Sequence, residues 1–205
     1  MNALIIVDVQ YDFLPGGALE VKDGDQIIPI INSLQVHFDH VVATQDWHPL
    51  HHKSFAVNHG DRNPGEVVDL NGMDQILWPV HCVQGTRGAS FSDELSKERI
   101  ERVIVKGTNP EIDSYSGFFD NGKLQSTDME NYLKSRSIDQ VYVVGLATDY
   151  CVKFTALDAV ELGFDTWVIS DATRAVNLSP NDFEESLEEL RNAGVKVIKS
   201  KSLRD

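Results

Sequence analysis

The chain has 205 residues, 41% of them hydrophobic, with 18 basic and 32 acidic side chains and a formal charge of −14. That length and apolar content suit one substantial core and argue against disorder, while the acidic surplus repels nucleic acid and anionic membranes. No apolar run approaches the roughly 20 residues of a bilayer span, no leader pattern precedes the first strand-like run, and the two cysteines, Cys82 and Cys151, are too few for a disulfide framework, so the expectation is a cytoplasmic globular protein that engages neither nucleic acid nor membrane.

Residues 3–7 read as a strand closed by Asp8. Ile27, Ile28, Ile31 and Leu34 then share one face of a helix predicted over 25–38, with Pro29 tolerable only in its opening turn. A second strand at 41–43 leads through Thr44 and Gln45 to Asp46, Trp47 and His48. Residues 46–100 break the rhythm with a stretch rich in Gly, His, Asp and Pro, far longer than an ordinary connection, which points to functional work. Alternation resumes with a strand at 102–105 closed by Lys106, a helix at 127–137, a strand at 140–146, a helix at 151–162, a strand at 166–169, a helix at 182–193 with an acidic first turn, and a strand at 195–198. Gly163 and Gly194 suit helix ends. The pattern predicts an α/β fold: a three-layer sandwich with a mostly parallel central sheet and helices on both faces, forming a single domain over 1–205.

In such sheets the loops at the carboxyl ends of the strands meet in one crevice. Asp8, Lys106 and Cys151 all fall at such ends, which gathers a carboxylate, an ammonium and a nucleophilic thiol. Cys151 is placed at the start of a helix whose inward face is Val152, Thr155, Ala156, Ala159 and Leu162, a position that lowers a thiol pKa. Asp46 and His48, two apart, can lean on one ion, with His81 arriving from a distant segment and His52 a less certain fourth. Such ligands suit one divalent metal, zinc before iron or manganese. Cys82 reads as a small buried hydrophobe. Phe13 and Trp78 are candidate walls for a flat ligand. Pro15-Gly16-Gly17 lacks the spacing of a dinucleotide fingerprint, and no phosphate loop occurs.

Five runs, taken in order, carry a resemblance over nearly the whole chain: Asp8-Val9-Gln10-Tyr11-Asp12-Phe13, Thr44-Gln45-Asp46-Trp47-His48-Pro49, Trp78-Pro79-Val80-His81-Cys82, Lys106-Gly107, and Gly145-Leu146-Ala147-Thr148-Asp149-Tyr150-Cys151-Val152. The chain resembles the nicotinamidase/pyrazinamidase branch of the isochorismatase-like hydrolases. The resemblance implies Asp8, Lys106 and Cys151 as the catalytic triad and Asp46, His48 and His81 as metal ligands. It implies Phe13, Trp78 and Tyr115 as substrate walls, a cis peptide between Leu146 and Ala147, and an oxyanion hole from the Ala147 and Cys151 amides. The implied reaction is hydrolysis of nicotinamide, and of pyrazinamide, through a cysteine thioester in NAD salvage. A carbamoyl or ureido amidohydrolase and a noncatalytic metabolite-binding scaffold stay open as alternatives, as does a homo-oligomer.

Overall fold

Alternating apolar residues along the strands bury both faces of a central sheet in the computed structural model, which describes residues 1–203. The strands in chain order are β1 (Asn2–Val7), β2 (His40–Asp46), β3 (Val67–Leu70), β4 (Met73–Ile76), β5 (Arg102–Lys106), β6 (Gln140–Leu146), β7 (Asp165–Arg174) and β8 (Lys196–Ile198). The helices are α1 (Ile28–Leu34), α2 (Met129–Ser135), α3 (Lys153–Glu161) and α4 (Asp182–Asn192). Six strands pair in the order β5-β2-β1-β6-β7-β8, every pair parallel. Leu4 and Ile6 of β1 pack with Ile28, Ile31 and Leu34 of α1 on one face. Ala3, Ile5 and Val7 pack with Met129 and Leu133 of α2, Ala156 of α3 and Leu187 of α4 on the other. That is the expected three-layer α/β sandwich.

Three elements differ from expectation. The helix over 25–38 is α only at Ile28–Leu34, flanked by 3₁₀ turns at Gly24–Ile27 and Gln35–His37; Pro29 has no N–H to donate, so it can stand only in the opening turn of the regular helix and not within it. β7 runs on to Arg174, past the apolar residues, and takes a bulge opposite Val143–Gly145. α3 starts at Lys153, because Thr148–Val152 form a wider π-type turn that carries Cys151. Within the long excursion β3 and β4 form an antiparallel hairpin, turned by Asn71 and Gly72 in left-handed conformations.

In the large sheet the strand order reverses between β1 and β6, with β2 and β5 added on one side and β7 and β8 on the other, so Asp8 and Cys151 flank the topological switch point, where crevices open in such sheets. Gly145 lets those strands approach: its φ is +111°, and a Cβ there would collide with the Val7 backbone. Among the described residues no helix is long and apolar enough to cross a membrane.

Candidate active site

β1 ends because Asp8 turns into the left-handed region, φ +48°, which Asp tolerates better than most residues. The turn sends its carboxylate beneath the ends of the neighbouring strands, fully buried. Oδ1 accepts a hydrogen bond from Thr44 Oγ1 at 2.7 Å, and Oδ2 faces Lys106 Nζ at 2.9 Å. Lys106 closes β5 in register with Asp46 of β2 and is buried with it. Its ammonium donates to Asp46 Oδ1, to the Ser114 carbonyl at 2.9 Å and to Cys151 Sγ at 3.4 Å. Acid, ammonium and thiol, drawn from three distant parts of the chain, therefore meet as the sequence suggests.

Burial works against every charge in this group, and the partners decide who keeps one. It pushes the Asp8 acid up, with Lys106 opposing. For Asp46 burial is outweighed by Lys106 and His48, which hold its carboxyl well below the usual range. Burial would lower Lys106, but Asp46 and Asp8 hold its ammonium well above its ordinary value. The Cys151 thiol is pushed well above its ordinary range by burial, to which Asp8 and Asp46 add and which Lys106 only partly offsets. The shift is opposite in direction to the acidified thiol expected at a helix start.

Beside the triad, Asp46 Oδ2 lies 3.4 Å from His48 Nε2 and 3.8 Å from His81 Nε2. Ligands about 2.0–2.1 Å from one ion stand at most about 4 Å apart, so the spacing fits. The donor chemistry fits too. His48 Nδ1 and His81 Nδ1 each lie 2.8 Å from a backbone carbonyl, of Gly107 and Pro79. A carbonyl only accepts, so both rings carry their proton on Nδ1 and turn the Nε2 lone pair to the cluster. His52 differs. Its Nδ1 lies 2.7 Å from Ser54 Oγ and accepts the Ser54 N–H at 3.1 Å, and burial pulls the ring down to about 4. Its Nε2 is buried without a hydrogen-bond partner. Asp46, His48 and His81 bring their donor atoms close enough to share one metal, and His48, His52 and Asp113 form a second such buried group beside them.

A cleft opens over Cys151, lined by Phe13, Trp78, Tyr115, Ala147, Tyr150 and Val176, with Asp46, His81 and Asp113 also in its wall. Trp78 Nε1 donates to the Tyr115 hydroxyl at 3.1 Å, which fixes two of the walls against each other. The Leu146–Ala147 peptide is cis, as the resemblance implies. A larger open groove adjoins the cleft along β3–β4, α3 and α4.

Several cleft and support residues lie outside the sequence expectation. Tyr150 packs edge-on against Trp78 at 4.9 Å. Asp113 is buried, accepting from the Ser114 N–H at 2.8 Å. Asp12 accepts the Cys82 N–H at 2.7 Å and so steadies the residue after His81. Cys82 is buried and free, as expected.

A thiol, a carboxylate and an ammonium at the switch point of a doubly wound sheet, next to a two-histidine, one-carboxylate cluster, define a hydrolase-type α/β protein with a cysteine at its centre. The isochorismatase domain pattern matches residues 2–202, and the chain belongs to that family. It is 46% identical over 199 residues to the nicotinamidase of Escherichia coli, covering 94% of this chain and 92% of that one. Its structure is similar to that of an Acinetobacter baumanii nicotinamidase/pyrazinamidase, with a TM-score of 0.96, 48% identity and coverage of 98% and 97%. It is also similar to a Pyrococcus horikoshii pyrazinamidase in complex with zinc, with a TM-score of 0.78, 39% identity and coverage of 97% and 98%.

Proposed function

We propose that this protein is a nicotinamidase that hydrolyses nicotinamide to nicotinate and ammonia, accepts pyrazinamide, and serves NAD salvage in the cytoplasm. The observation that carries this reading is the single Lys106 ammonium, 2.9 Å from Asp8 and 3.4 Å from Cys151. The family's activity in its relatives and the flat aromatic cleft favour a pyridine carboxamide over a ureido compound. A noncatalytic scaffold would have no need to hold Asp8, Lys106 and Cys151 together.

Asp8 takes the Cys151 proton as sulfur attacks the carboxamide carbon. Lys106 stabilises the emerging thiolate while remaining paired with Asp46. The Ala147 and Cys151 amides receive the oxyanion. As the C–N bond breaks, Asp8 returns the proton to the leaving nitrogen, releasing ammonia and leaving a thioester. Asp8 then takes a proton from water as its oxygen attacks the thioester, and collapse releases nicotinate and restores the thiol. Asp46, His48 and His81 would hold one divalent ion, zinc by analogy with the Pyrococcus protein. When bound, that ion supplies a Lewis-acid anchor for the ring nitrogen.

Asp8 must be ionised to act, and burial raises its pKa above the ordinary 3.8. The pH profile of kcat/KM is therefore expected to fall with unit slope on the acid side, through a pKa above 3.8. An acid limb at or below that value removes Asp8 from the role of base. Chelation with verified metal loss should cut ammonia release from nicotinamide by more than about 10-fold, and added zinc should restore it. Full activity in verified metal-free protein overturns the metal role. Strong hydrolysis of another amide with none of nicotinamide overturns the substrate assignment.

A further inference from the structure

A gap in the sheet next to Asp46 is filled by a side chain. β1 and β2 pair as far as Val7 with Thr44, and the last backbone bond between them runs from the Asp8 N–H to the Thr44 carbonyl at 3.3 Å. β1 then turns away at Asp8 while β2 continues to Asp46. The Asp46 N–H and C=O would face a buried space where a neighbouring strand should be, and buried backbone groups are not left unpaired. Gln10, fully buried, supplies the missing peptide unit. Its Oε1 accepts the Asp46 N–H at 2.8 Å, and its Nε2 donates to the Asp46 carbonyl at 2.8 Å. The second Nε2 proton goes to the Ala89 carbonyl at 2.8 Å. A carboxamide has the donor and acceptor of a peptide bond in the same plane, so the two-bond exchange reproduces a β-ladder pair.

The residue held in this way is unlike other strand ends. Asp46 presents one carboxylate oxygen to Lys106 and the other to His48 and His81. A rotation of its backbone would move both oxygens together. The other side of Asp46 is fixed by the ladder to β5, with the Trp47 N–H donating to the Lys106 carbonyl at 2.9 Å. Gln10 is the only side chain gripping both backbone groups of Asp46 among the described hydrogen bonds.

We propose that Gln10 is a positioning residue for the metal-binding carboxylate: its carboxamide replaces a strand peptide and sets the orientation of Asp46. The proposal rests on the reading that Asp46, His48 and His81 bind a divalent ion. Because Gln10 lies two residues after Asp8, whose carbonyl accepts the Gln10 N–H at 2.8 Å, one short turn then sets both the general base and the metal ligand.

The test uses Co²⁺ as probe, added to metal-free wild type, Gln10→Met and Gln35→Met, with visible absorption reporting geometry and thermal melting reporting stability. Gln35 is the control because it too is a buried glutamine donating to a backbone carbonyl, that of Ser96 at 2.8 Å, far from the cluster. Gln10→Met is expected to bind Co²⁺ roughly 10- to 100-fold more weakly, with a shifted absorption band. Gln35→Met should keep wild-type affinity and spectrum even where its melting temperature falls. Gln10→Glu, which keeps length and the acceptor for the Asp46 N–H, must show the same weakening if Gln10→Met does not fold. A folded Gln10 variant with wild-type affinity and spectrum overturns the proposal, as does equal weakening in Gln35→Met. Wild type that takes up no Co²⁺ overturns the metal reading itself, and the role of Gln10 with it.

Discussion

Cys151→Ala is expected to abolish ammonia release from nicotinamide, by at least about 10⁴-fold in kcat, while the protein stays folded. The sulfur is the atom on which the covalent step is written, and no nearby group can replace it. Cys82, the other thiol, is buried, and its pKa is pushed well above the ordinary range by burial and by Asp46 and Asp8. The fold should tolerate the change because Cys151, although part of one core layer, also lines the cleft; losing one small group there leaves little new cavity. Steady-state ammonia assays and a melting curve on the same preparation decide the matter. A folded variant with turnover within 10-fold of wild type would remove Cys151 from the role of nucleophile. Mass spectrometry of wild type quenched during turnover supplies the positive form of the test, an acyl adduct on the peptide carrying Cys151.

The sheet and its helices are legible in the sequence where burial writes an unambiguous period. Ala3 to Val7 and Val141 to Leu146 are buried on both faces and read as nearly continuous apolar runs. The far half of β7 is hidden because Ser170, Asp171, Thr173 and Arg174 are polar residues whose strand state comes from pairing with β6 and not from their own pattern. The β3–β4 hairpin is hidden for another reason. Its strands have four residues each and alternate weakly, although the Asn71-Gly72 turn is itself a strong local signal. The same division runs through the site. Asp8, Lys106 and Cys151 stand at strand ends, where topology alone brings them together. Gln10, Asp12 and Asp113 act by satisfying particular backbone groups or by sitting beside particular rings, and which groups would otherwise lack partners is a fact of three dimensions. The direction in which the thiol is shifted is hidden in the same way, because burial, which no local motif records, outweighs the nearby ammonium.

Lys106→Met is expected to damage stability and activity together, and the reason lies in the two carboxylates it separates. In the folded protein Asp8 and Asp46 are both buried, and Lys106 is the ammonium that faces both. Removing one partner of a buried ionic group costs about 3–5 kcal/mol because the remaining charge is left uncompensated. For a chain of this size that corresponds to a fall of roughly 6–20 °C in melting temperature. The sign with pH is set by burial. Without the ammonium, burial of Asp8 is no longer opposed by Lys106 and its folded-state carboxyl stays above the ordinary 3.8, so its protonation favours the folded state, while Asp46 keeps His48 and His81 as partners. The deficit of metal-free Lys106→Met should therefore be small near pH 4 and grow as pH rises to neutrality. Turnover should fall by about 10²–10³-fold or more, the scale of losing one charge-stabilising donor. Adding Asp8→Asn to Lys106→Met removes one of the two stranded charges. The double variant should regain part of the lost melting temperature while remaining inactive. If the two substitutions simply add in stability, or if the deficit of Lys106→Met does not depend on pH, the three groups do not share one charge network. The assignment of Lys106 as the group that holds acid and thiol together would then fail, however close the atoms lie.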